Sequence, residues 1–132
     1  MKRMGVLLGM VAVAALAGVS STVSAAVEEE HFNLESTEHL YLLCSAAPED
    51  ELYGEAILMC RGFLEGAVQY HDAIVGKERL KPLICHGQEG TVAESRIAFV
   101  EWATQNSDNS DLMGEKPVVG VVRALAVKYP CT

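Results

Sequence analysis

Few residues in this chain are of a type that does chemistry: Cys44, Cys60, Cys85 and Cys131, with His71 and His86 among them. Thiolates and imidazoles hold metals, but structural zinc sites bring their ligands as closely spaced pairs. No Cys-x-x-Cys pair occurs here, and Cys85 and His86 are adjacent residues that cannot easily chelate together. No metal site is expected. A Cys/His nucleophile needs a free, partly exposed thiol of depressed pKa. An even count of cysteines in a small exported domain reads instead as two disulfides. The carboxylate runs Glu28-Glu29-Glu30 and Glu49-Asp50-Glu51 lie on a leading tail and at an element start, where solvated acids are ordinary. No Ser/His/Asp arrangement and no phosphate-binding glycine loop stands out. No catalytic residue and no cofactor is expected, and the chain does not read as an enzyme.

The disulfide reading requires an oxidising compartment, and the first residues supply one. Lys2 and Arg3 precede the apolar and small-residue run Met4 to Val19. Val23-Ser24-Ala25 or Ser24-Ala25-Ala26 then suits a signal peptidase. This is the three-part layout of a secretory leader. A membrane anchor is the alternative, since roughly 18 apolar residues span a bilayer. The run is short, rich in Ala and Gly, and ends at a cleavage site, which favours export. Residues 1–26 are therefore read as a signal peptide and 27–132 as one mature domain, periplasmic in a Gram-negative host. No other stretch is apolar enough to span, so no membrane contact is expected once the leader is removed.

The formal charge is −8, from 10 basic and 18 acidic residues. Losing Lys2 and Arg3 with the leader takes it to about −10. That argues against nucleic acid, whose affinity comes from neutralised phosphates. It suits a basic protein partner, or solubility alone.

Four helices are expected to carry these residues. The first covers about Glu35 to Ala46, with Leu40, Leu43 and Cys44 on one face. Pro48 suits the first turn of a second helix, along which Tyr53, Ala56, Ile57, Cys60, Phe63, Leu64, Ala67, Val68, His71 and Ile74 recur at helical spacing. Gly76 is expected to stop it. Gly62 and Gly66 share a face on which another backbone can approach closely. Thr91 and Glu94 form a capping box that opens a third helix, through about Thr104. Trp102 reads as a core or edge residue rather than a binding platform. Pro117 opens a fourth helix to about Tyr129, its valines equally compatible with a buried strand; the lack of a partner strand favours helix. Residues Val27 to about Asn33 read as a loose acidic lead-in. The fold class is thus all-α, a compact four-helix domain stapled by two disulfides and preceded by a signal peptide.

The cysteine surroundings add a resemblance. Leu43-Cys44 closes the first helix, and Cys60-Arg61-Gly62-Phe63-Leu64-Glu65-Gly66 reads as C-x-G-[FY]-x-x-G, with Asp72 shortly after. Cys85 precedes the capped helix, and Tyr129-Pro130-Cys131 ends the chain. In this order the set resembles the small exported immunity proteins of type VI secretion, the Tai-type and related Rap-type amidase immunity family, from about Leu40 to Cys131. Cys85-His86-Gly87 lacks the proline common after the family's third cysteine, and Glu94 stands where Gln is frequent; both departures mark a distant member. The resemblance implies a helical periplasmic protein that binds a peptidoglycan-cleaving amidase effector from a sibling cell. Inhibition is then stoichiometric, by occlusion of the amidase groove, often by an immunity homodimer.

The longest polar excursion, Thr104 to Lys116, is the candidate contact, since binding residues concentrate on loops held by rigid scaffolds. Within it Ser107, Asp108, Asn109, Ser110 and Asp111 are expected to enter the partner's cleft. The competing reading is a disulfide-bonded periplasmic chaperone or structural binding protein with no toxin partner. Four cysteines allow three pairings. If the last three helices run up and down, Cys85 and Cys131 fall at one end, which suggests Cys85–Cys131 and Cys44–Cys60.

Overall fold

The computed structural model describes residues 25–78, 80–87 and 90–132. The leader read over 1–26 lies, up to residue 24, outside the described residues. A 3-10 turn at Glu29–Asn33 leads into five α-helices: α1 Thr37–Cys44, α2 Tyr53–Glu78, α3 Val92–Gln105, α4 Ser110–Met113 and α5 Pro117–Lys128. Four of them are the expected helices; α4 is a single turn inside the polar excursion.

Local chemistry sets the boundaries. Ser36 caps α1, its side chain accepting from the His39 N–H at 3.2 Å. The second helix starts at Tyr53 rather than at Pro48, because Asp50 competes for the backbone. Its Oδ1 accepts from Leu52 N at 2.9 Å and its Oδ2 from Val27 N at 2.8 Å. Such a side-chain bond offers the chain a turn in place of a helix. These two backbone bonds, first Val27 and then Leu52, hold the Asp50 carboxyl below its usual range. Gly76 does not end α2, which continues to Glu78. A stopping glycine adopts a left-handed φ, and among the described residues Gly87, at 61°, is the glycine that does so. The Thr91/Glu94 capping box of α3 is present in both directions.

The apolar faces meet in one core of Leu40, Cys44, Cys60, Leu64, Phe99, Val121 and Leu125, each 1% exposed or less. Burial of each large side chain contributes about 1.5–3 kcal/mol. The lead-in is not loose. Val27 packs with Leu43, Ala46 and Ala56 in a second cluster, and its bond to Asp50 ties this segment to the start of α2.

Helix α5 crosses α1 at Gly120, where a Cβ would fall on Thr37 Cγ2 and within 2.6 Å of its Oγ1. The close approach expected at Gly62 and Gly66 does not occur there: both face open space. The disulfides are Cys44–Cys60 and Cys85–Cys131, each with Cα atoms 5.1 Å apart. The first joins the end of α1 to the second turn of α2. The second clips the chain end to the segment before α3, beside a Cys85 N–H bond to Tyr129 O at 3.0 Å. No described helix is long and apolar enough to cross a membrane.

Candidate partner-binding surface

The segment between α3 and α5 is fixed by its own side chains. Asn106 Nδ2 donates to Trp102 O at 2.7 Å, and Ser107 Oγ to Thr104 O at 3.1 Å. Asn109 caps α4, accepting from Leu112 N at 3.2 Å. Met113 is buried beneath the turn. At the far end Thr37 N and Oγ1 donate to Glu115 O at 2.7 and 3.0 Å. Of the five residues singled out in sequence, Ser107 and Asn109 therefore spend polar atoms on holding the loop. Asp108, Ser110 and Asp111 are exposed, and neither Asp108 nor Asp111 has a side-chain partner among the described residues. A rigid turn with two outward carboxylates is suited to docking, because little order is lost on binding.

Beside this turn α3 and α5 leave an apolar groove of about 410 Å³, lined by Leu83, Trp102, Leu112, Val122, Ala126 and Val127. Leu112 belongs to α4, so groove and acidic turn are continuous. Arg123 closes one wall and is forked onto Glu115, with Nε and Nη2 each 2.7 Å from a carboxylate oxygen. That fork holds the Glu115 carboxyl below its usual range. Trp102 is an edge residue, as its sequence position suggested; the groove depends on how three helices sit together and left no sequence signal.

A third arrangement was also missed. Asp72 accepts from His71 Nδ1 at 2.9 Å and from His86 Nε2 at 3.0 Å. His71 Nε2 in turn accepts from Leu83 N at 3.1 Å and Ile84 N at 3.3 Å. The backbone donors fix the His71 tautomer and occupy the nitrogen that a general base would use. This network pins the segment before α3 onto α2, and no free cysteine stands near it, all four being paired. Among the described residues no group of three or more His, Cys, Asp and Glu is placed to hold a metal ion.

Burial pushes the Asp72 carboxyl up, but the hydrogen bonds from His71 and His86 outweigh it and hold the group below its usual range. A depressed carboxyl adds stability above its unfolded pKa of about 3.9, lost as pH falls through the folded value. Asp72→Asn should therefore lower stability at neutral pH by less than about 1 kcal/mol, solvent screening limiting a half-exposed pair. In urea unfolding that difference should vanish at acid pH; a pH-independent difference would show that charge plays no part.

The family model described as Rap1a immunity proteins matches residues 36–131. The match runs from the cap of α1 to the last cysteine and includes both disulfides and the whole acidic turn. No curated protein and no solved structure matches the chain.

Proposed function

Because the chain belongs to the Rap1a immunity protein family, we propose that it protects its host by binding a type VI secreted peptidoglycan amidase and occluding that enzyme's groove. The family match over residues 36–131 carries this reading. The leader-like first residues and the two disulfides support a periplasmic location, where such an amidase acts. The chain works by occupying a surface and turns over no substrate. The acidic turn Ser107 to Asp111 enters the cleft, its backbone held by Asn106, Asn109 and Thr37, and Asp108 and Asp111 meet donors or cations of the enzyme.

Replacing Asp108 and Asp111 together with alanine should weaken amidase binding about tenfold, with most of the salt dependence lost. Titration calorimetry at two ionic strengths reads both. Unchanged affinity would remove the turn from the contact.

A further inference from the structure

We infer that the groove between α3 and α5 is the apolar half of the same contact, and that it receives a bulky aliphatic or aromatic side chain of the amidase flanked by Lys or Arg. This rests on the function proposed above. Val127 is 72% exposed and Leu83 60% exposed, on a face that water alone would leave polar. With Trp102, Leu112 and Val122 they form a concave patch, the setting in which a few anchors carry most binding energy.

Charge selects the occupant. Among the described residues the cation that lines the groove is Arg123, and it is already forked onto Glu115. Asp111, next to Leu112 on α4, is exposed and has no ion-pair partner among the described residues. An apolar floor edged by an unpaired acid complements an apolar anchor beside a cation. A cleft that embraces Asp111 also meets Leu112, so one docked enzyme covers both features.

Trp102 is the sole tryptophan of the chain, which makes it a single-site reporter. With 5-fluorotryptophan incorporated, the purified type VI amidase of the host should shift the one fluorine resonance. Val127→Lys should weaken binding at least about tenfold and Val127→Ser less. Both should keep the wild-type melting curve, the site being exposed. Binding with an unmoved resonance and an unchanged Val127→Lys affinity overturns the groove assignment and leaves the proposed function standing. A Val127→Lys effect confined to self-association of the free chain overturns it equally, making the groove a contact between copies. No complex with the wild-type chain overturns the proposed function, and this inference with it.

Discussion

Cys44→Ala/Cys60→Ala should lower the unfolding free energy by about 5 kcal/mol, more than the corresponding change at Cys85 and Cys131. Chain entropy alone ranks the pairs the other way. The Cys44–Cys60 bridge closes a sequence separation of 16, worth about 3 kcal/mol, and Cys85–Cys131 one of 46, worth about 4 kcal/mol. Packing reverses the order. Cys44 and Cys60 are fully buried among Leu40, Leu64 and Phe99, so their loss leaves voids that cost roughly 2 kcal/mol more. Cys85 is exposed, and its removal leaves no core cavity. Urea unfolding of the two double variants decides the ranking; a larger loss at Cys85/Cys131 would mean that loop closure governs both.

The second prediction sets one substitution against itself. Gly120→Ala should destabilise by about 2 kcal/mol, whereas Gly62→Ala and Gly66→Ala should each stabilise by up to about 1 kcal/mol. Alanine improves helix propensity at all three positions. At Gly120 the new methyl group meets Thr37, which is fully buried, β-branched and tied by Oγ1 to Glu115 O and Lys116 O. That side chain cannot turn aside without losing both bonds. At Gly62 and Gly66 nothing lies within 4 Å. Thermal unfolding of the three variants reads the signs directly, and a stabilised Gly120→Ala would refute the tight α1–α5 crossing.

These glycines also show what was legible in the sequence. Helical spacing and the Thr91/Glu94 box located the long helices, because propensity and capping are local. The pairing of the cysteines followed from topology, since Cys85 precedes α3 and Cys131 follows α5. What failed was tertiary. Two glycines four apart suggested a close crossing, but the crossing lies at Gly120, chosen by Thr37 far away in sequence. The acidic lead-in reads as loose from its sequence, whereas Asp50 bonds Val27 across 23 residues and ties it down. The same carboxylate delayed α2 past Pro48. Helix α4 escaped notice because a four-residue turn has no period to detect, although Asn109 before Ser110 is a capping signal. Of the candidate binding surface, the acidic turn was readable as a polar run between helices. The groove beside it was not, because its walls come from α3, α4, α5 and the segment containing Leu83.

Peptidoglycan hydrolysis by the host's type VI amidase, titrated with the purified mature chain, tests the central claim most directly. Hydrolysis should fall linearly and stop at one equivalent of the wild-type chain, with the Asp108→Ala/Asp111→Ala variant requiring an excess. Undiminished hydrolysis at several-fold excess of the folded, disulfide-bonded chain would contradict the account.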